Sequence, residues 1–160
     1  SFQTEMFFLC NRYKQLSDIQ KKYIAKSEPV VADYHIFKNL IFAKRTLPAE
    51  EYVKYESIYR ILTQDMPKPN MVIYLHASLD TLMKRIALRG REFEKMISAD
   101  YMKQLSDDYQ TFIQHFEETH PEIPVLRFNG DEMDFVENES DLNWILKKVD
   151  ETLQQRSLHV

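Results

Sequence analysis

The chain has 160 residues and a mass of 19.2 kDa, which is the size of one domain. Its 21 basic and 25 acidic residues give a net charge of −4, so the basic excess typical of nucleic-acid and membrane-surface binders is absent. With 44% hydrophobic and 29% charged residues, the composition is neither disordered nor membrane-spanning. The single cysteine, Cys10, excludes an internal disulfide framework and indicates a reducing compartment, so we expect a cytoplasmic protein.

Glycine is scarce, with only Gly90 and Gly130 in the whole sequence. Neither the glycine-rich dinucleotide motif nor a Walker A phosphate loop can therefore be written in it. The chain also opens on Ser1 rather than Met, directly into a helical pattern without a convincing cap. These features predict a piece of a longer protein whose first part, including further strands, precedes residue 1.

In the first half, apolar residues at helical spacing predict a long amphipathic helix over residues 1–26. The apolar run 30–32 predicts a short buried strand, which places Asp33 at its carboxyl end. Two further helices are predicted over residues 36–46 and 48–66.

The second half alternates strands and helices more clearly. Ser78 is a suitable N-cap and Gly90 a suitable end for the helix between them, and Ser98 is a suitable N-cap for the next helix. The predicted elements, in chain order, are a strand over 71–77, a helix from 78 to 88, an irregular segment over 91–97, a helix over 98–119, a strand over 124–128, a turn at 129–131 and a helix over 139–155.

Strands separated by helices predict an α/β three-layer sandwich with a parallel sheet, built as one domain over residues 1–160. Ligands of such sheets bind beyond the carboxyl ends of the strands. The residues expected at that edge are Asp33, His76 to Ser78, and Asn129 with Gly130.

Three arginines form the sharpest local motif. Arg85 and Arg89 are four residues apart and share one helix face, and Arg91 follows just beyond the helix end. Guanidinium groups converging near a strand edge suit a polyphosphate, because arginine binds phosphate oxygens through two nitrogens and stays charged. The alternative is that cations at a helix C-terminus merely complement the helix dipole.

The residues around these arginines suggest a lid over about 89–98, because a phosphoryl-transfer site must exclude water. Glu94 would face a polar substrate group from this lid, or be a solvated loop carboxylate. The Gln3 amide could pair with a nucleobase edge, or simply be solvated. Asp33 could bind a cation or cap the following turn. The five histidines form no metal-ligand pair, so no metal site is predicted.

Several stretches resemble the deoxynucleoside kinase family, and most closely its bacterial deoxyguanosine and deoxyadenosine kinases. The resemblance covers essentially the whole chain in order. Its main stretches are SFQTEMFFL at 1–9, ADYHIFKNLIFA at 32–43, VIYLHAS at 72–78, RIALRGREFE at 85–94, and the pair Asp134 and Phe135.

The resemblance implies a P-loop kinase fold and transfer of a phosphate from ATP, with Mg²⁺, to the 5′-hydroxyl of a purine deoxynucleoside in a homodimeric salvage enzyme. It also implies a role for each matched residue. Gln3 would bind the nucleobase, Phe2 and Phe42 would line it, Glu94 would hold the sugar 3′-hydroxyl, Arg85, Arg89 and Arg91 would close on the donor phosphates, Asp134 and Phe135 would frame the donor adenine, and Asp33 would supply the acidic residue of the family's Asp/Glu-Arg-Ser motif.

Two features depart from the family pattern. Tyr34 stands where that motif has arginine, and no Walker A loop or preceding general-base glutamate is present. Because the loop cradles the transferred phosphate, we expect the chain on its own to be inactive. The alternatives are a nucleoside monophosphate kinase, which would need another cation near its acceptor, and a non-catalytic partner subunit.

Overall fold

In the computed structural model, which describes residues 1–157, the chain forms α-helices and a short two-stranded parallel sheet. It divides into two compact units, Ser1–Lys68 and the segment from Pro69 onward. The single-domain prediction over 1–160 stays a prediction, and its last three residues lie outside the described ones. The elements are α1 (Phe2–Lys22), α2 (Lys38–Thr46), α3 (Ala49–Thr63), β1 (Val72–His76), α4 (Leu79–Arg89), α5 (Ala99–Thr119), β2 (Val125–Asn129) and α6 (Glu139–Ser157), with 3-10 turns at Ile24–Lys26 and Glu92–Glu94.

The first unit is helical, and α1 packs against both α2 and α3. Leucine, isoleucine and tyrosine side chains from the three helices and from the α1–α2 connection exclude water from its centre. The buried cluster consists of Leu9, Ile36, Ala43, Leu47 and Tyr55. The sequence-based view that α1 lacks a cap is wrong, because the Ser1 side chain accepts the N–H of Thr4 at 3.3 Å.

The strand predicted over residues 30–32 is not formed. Among the described residues this segment has no neighbouring strand to pair with, and Val31 is 99% exposed. Asp33 therefore lies in an exposed loop rather than at a strand end, and its carbonyl oxygen accepts from the ammonium of Lys38 at 3.3 Å. A buried strand needs both a partner and a cover, and an apolar run alone supplies neither.

In the second unit β1 and β2 pair in parallel, with Val72 opposite Val125 and His76 opposite Asn129. The chain passes between them through α4 and α5, which pack on each other, as the sequence predicted. Phe128 is buried edge-to-face against Trp144 of α6, with ring centroids 5.7 Å apart.

The helix ends of this unit follow the predicted signals. Ser78 and Ser98 accept backbone N–H groups in the first turns of α4 and α5. Gly90 ends α4 with φ of +64°, a left-handed conformation that favours glycine. Because α4 ends at Gly90, the segment predicted to be a lid begins directly after the helix that carries Arg85 and Arg89.

Candidate functional site

The carboxyl ends of the two strands meet the start of α4. The N–H of Gly130 donates to the carbonyl oxygen of His76 at 2.7 Å. The Asp131 carboxylate accepts from the backbone N–H of Ser78 at 2.9 Å and from its hydroxyl at 3.1 Å. Hydrogen bonds from the Thr81 side chain and from Ser78 hold the pKa of Asp131 below its ordinary value. The loop after β2 is therefore tied to the first turn of α4.

Arg85 lies two turns into α4 and points back to this loop. Its Nη2 donates to the carbonyl oxygen of Gly130 at 2.9 Å. The acceptor is neutral, so the bond orients the guanidinium without neutralising its charge. A positive group is thus held near the carboxyl ends of the two strands, where it also interacts with the Asp131 carboxylate. The binding of a ligand at this edge stays a prediction.

A small pocket opens beside Arg85, and its lining contains one of the two residues predicted to frame a donor base. It is lined by Leu75, Arg85, Phe128, Asn129, Gly130, Met133 and Phe135. Asp134, the other residue of the pair, accepts the N–H groups of Val136 and Glu137 through Oδ1, at 3.1 and 3.0 Å. Asp134 therefore shapes the turn that presents Phe135 to the pocket, and the role of the pair toward a donor base stays a prediction.

The segment over about 89–98, which the sequence predicts to be a lid, is organised around Glu94. Nε and Nη2 of Arg89 donate to its two carboxylate oxygens at 2.9 and 2.6 Å, and Arg91 Nη1 lies 3.6 Å from the same carboxylate. Glu94 is only 6% exposed, while both arginines are about half exposed. The paired guanidiniums offset the cost of burying the carboxylate. Glu94 is thus not a solvated loop carboxylate, which was the alternative that the sequence left open.

The predicted convergence of three guanidiniums holds only in part. Arg89 and Arg91 meet at Glu94, whereas Arg85 is bonded to the loop after β2. At Glu94 two guanidiniums face one buried carboxylate, so this cluster carries a local excess of positive charge, which suits an anionic ligand.

The first unit carries the residues predicted to contact a nucleobase. Gln3 is exposed on the first turn of α1, and Phe2 packs half-buried against the core. The Thr46 hydroxyl donates to the Glu5 carboxylate at 2.8 Å and joins α2 to α1. Phe2 and Phe42 each lie within one helical turn of this hydrogen bond, so both are close to the α1–α2 junction.

Sequence reasoning missed a set of buried polar groups beside this junction. Asn39 is 3% exposed, and its Oδ1 accepts from the Tyr34 hydroxyl at 3.4 Å. The Tyr55 hydroxyl is buried without a geometrically sound hydrogen bond to any described residue, and burial raises its pKa. Helical spacing alone indicated the packing of Tyr55. A tyrosine in place of phenylalanine on that apolar face was the available signal for a buried polar group.

Tyr34, which departs from the family motif, is flanked by two cations. The Arg12 guanidinium lies 3.9 Å from the centre of its ring, and the Lys38 ammonium lies 4.8 Å from it. Burial raises the pKa of the Tyr34 phenol, so it stays a neutral hydrogen-bond donor.

The described residues 1–157 contain no group of three or more histidine, cysteine, aspartate or glutamate side chains arranged to hold a metal ion. No helix among them is both long and apolar enough to span a bilayer.

Comparison with known proteins shows which family this chain is similar to. The family model described as deoxynucleoside kinase matches residues 1–154. Deoxyguanosine kinase of Bacillus subtilis is 52% identical over 96% of this chain and 74% of its own length. Deoxyadenosine kinase of Lactobacillus acidophilus is 33% identical over 92% of the chain and 74% of its own length.

The fold matches as well. A solved deoxyadenosine kinase from M. mycoides, with dCTP bound, superposes with a TM-score of 0.73 and 22% identity over 94% of this chain and 73% of its own. Its likeness confirms the predicted α/β fold of the P-loop kinase type. The family match across nearly the whole chain decides the assignment: this chain belongs to the deoxynucleoside kinase family.

Proposed function

We propose that this chain forms the acceptor-binding and lid parts of an enzyme that transfers the γ-phosphate of ATP to the 5′-hydroxyl of a purine deoxynucleoside. The observation that carries the proposal is the buried Glu94 held by Arg89 and Arg91 beside a separately anchored Arg85. The similarity to kinases named for deoxyguanosine and deoxyadenosine supports the purine preference.

In the proposed reaction the arginines stabilise the charge that spreads over the transferred phosphoryl group. Arg85 stands next to Phe135, so it suits the donor side of the site. Arg89 binds Glu94 through Nε and Nη2, so it has to release the carboxylate in order to bind a phosphate with the same two nitrogens. When Arg89 turns to phosphate, a Glu94 oxygen becomes free to accept a hydrogen bond from the sugar 3′-hydroxyl.

The acceptor base would lie near the α1–α2 junction. Gln3 offers one acceptor and two donors to a nucleobase edge, and Phe2 and Phe42 offer apolar surface to its faces. Asp33 remains a candidate acidic residue on an exposed loop. Mg²⁺ would arrive with the donor phosphates and neutralise part of their charge.

We further propose that the 160-residue chain transfers phosphate poorly by itself, because no Walker A loop can be written in its sequence. A homodimer would cover apolar side chains that α1 and α3 leave exposed, among them Phe7, Phe8, Val53 and Ile61. The exposed free thiol of Cys10 fits a reducing, cytoplasmic location.

The sharpest test of the Glu94 role uses an acceptor without the 3′-hydroxyl. The complete gene product containing this chain is assayed on deoxyguanosine and on 2′,3′-dideoxyguanosine, with Glu94→Gln as the variant. We expect the native protein to prefer deoxyguanosine by about 50-fold in kcat/KM, and the variant to lose most of that preference.

Glu92→Gln is the matched control, because Glu92 lies two residues away but is exposed and paired with Lys95. It should keep the native preference. A Glu94→Gln enzyme that still discriminates fully against the dideoxy acceptor would refute the assignment. Phosphorylation of deoxyguanosine monophosphate instead of the nucleoside would favour the monophosphate kinase alternative, and loss of all turnover in the complete protein would favour a non-catalytic subunit.

A further inference from the structure

Gly130 sits where a side chain would collide with Arg85. A Cβ built on it would lie 2.8 Å from Arg85 Nη1 and 3.3 Å from Nη2. Its φ lies outside the left-handed region, in which Gly90 is the only glycine. Position 130 therefore requires glycine because the guanidinium occupies the space of a side chain, and not because of the backbone conformation.

The turn around Gly130 is fixed from both sides. The Gly130 N–H is bonded to the carbonyl oxygen of His76, and the adjacent Asp131 carboxylate is bonded to Ser78. These bonds hold the Gly130 carbonyl in place as an acceptor. In the contact between the two residues, the long Arg85 side chain is the partner that is free to move.

We propose that Gly130 is a positioning residue for Arg85: its bare α-carbon admits the guanidinium, and its carbonyl holds it against the pocket lined by Phe135. A methyl group at position 130 would displace the guanidinium from the carbonyl while leaving the fold in place. The colliding atoms are the tip of a flexible side chain, and the approach to the His76 carbonyl, at 3.3 Å, needs an adjustment of only a few tenths of an ångström.

The consequence for catalysis rests on the proposed function, in which Arg85 serves the donor. A guanidinium that is already oriented loses less side-chain entropy when it binds phosphate. Releasing it should weaken donor binding more than turnover. We expect Gly130→Ala to raise the KM for ATP about fivefold and to change kcat less than twofold.

One experiment tests the positioning without reference to activity. Phenylglyoxal modification of Arg85 is measured by peptide mass spectrometry in the complete gene product that contains this chain and in its Gly130→Ala variant. Arg60, an exposed arginine on α3, serves as the internal reference. We expect Arg85 to react about threefold faster in the variant, relative to Arg60, because the guanidinium has lost its acceptor. An unchanged ratio would overturn the positioning role.

A second experiment separates positioning from a general structural role. Gly130→Ala is introduced into native and Arg85→Ala versions of the complete gene product, and the KM for ATP and the Tm are compared. With the guanidinium removed, Gly130→Ala should have no further effect on the KM for ATP. An equal fivefold increase in both backgrounds would overturn the inference. Faster modification of Arg85 with an unchanged ATP KM would instead count against the donor role of Arg85 in the proposed function.

If Gly130→Ala alone fails to fold, the double variant carries the test. Recovery of the native Tm when Arg85 is also replaced would support a collision with the guanidinium. A double variant as unstable as the single one would place the conflict at the His76 carbonyl and overturn the proposal.

Discussion

The two compact units differ in the polar groups that they bury and in how these groups are paired. In the first, Asn39 and the Tyr55 hydroxyl are uncharged and buried beside the buried carboxylate of Glu5, and burial lowers the pKa of His35 to about 4, so that it is neutral near pH 7. In the second, the buried polar group is the carboxylate of Glu94, which is paired with the half-exposed Arg89. A neutral nucleoside and a charged polyphosphate need these two environments, so the difference fits an enzyme that joins such ligands.

The largest loss of activity should come from a change to Arg89 in the second unit. Arg89→Ala removes a proposed phosphate ligand and leaves the buried Glu94 with only Arg91, at 3.6 Å. We expect kcat/KM of the complete enzyme to fall about 100-fold. Arg60→Ala is the control, because Arg60 is an exposed arginine in an ordinary helical ion pair; it should stay within about twofold. Equal losses of kcat/KM in both variants would contradict the functional role of Arg89.

The next effect concerns His35 in the first unit and the pH dependence of its stability. Burial, followed by the nearby Lys38 charge, lowers the pKa of His35 from 6.5 to about 4, while the unfolded histidine keeps its ordinary pKa. The unfolded state therefore binds more protons between these values, so stability is full above pH 6.5 and is lost as the pH falls toward 4. We expect His35 to account for about 2 kcal/mol of that loss.

His35→Asn isolates this contribution, measured by urea unfolding at several pH values. The Nδ1 of His35 accepts the N–H of Phe37, and an asparagine oxygen can accept the same bond without titrating. The variant should show a flatter stability curve between pH 6.5 and 4. A curve as steep as that of the native chain would mean that His35 is not held neutral.

The smallest effect should come from Tyr55. No hydrogen bond of acceptable geometry joins its buried hydroxyl to a described residue. Tyr55→Phe therefore removes an unsatisfied polar group without leaving a large cavity. We expect the variant to be more stable by about 1 kcal/mol in urea unfolding. Tyr52→Phe, on the same helix but half-buried, should change stability by less than about 0.5 kcal/mol. A destabilised Tyr55→Phe would reveal a hydrogen bond that matters to the core.

Local signals in the sequence predicted much of this fold. Ser78, Ser98 and Gly90 bound α4 and α5 because caps depend on neighbouring residues alone. The strand expected at 30–32 failed because pairing depends on a partner distant in sequence, which no local pattern reveals.

The site was predictable to a similar extent. Spacing placed Arg85 and Arg89 on one face of α4, but their different acceptors, Gly130 and Glu94, follow from the tertiary path of two loops. The burial of Glu94 also depends on that path. The sequence left open whether Glu94 faces a polar substrate group or is a solvated loop carboxylate.

The most direct test of the central claim is the transfer of labelled phosphate from ATP to an acceptor by the complete gene product, with its intact mass measured in the same preparation. Deoxyguanosine, deoxyadenosine and deoxycytidine are compared with deoxyguanosine monophosphate. We expect formation of the purine deoxynucleoside 5′-monophosphates, no phosphorylation of the monophosphate acceptor, and little turnover by a chain of 19.2 kDa. Phosphorylation of the monophosphate alone would contradict the proposed function.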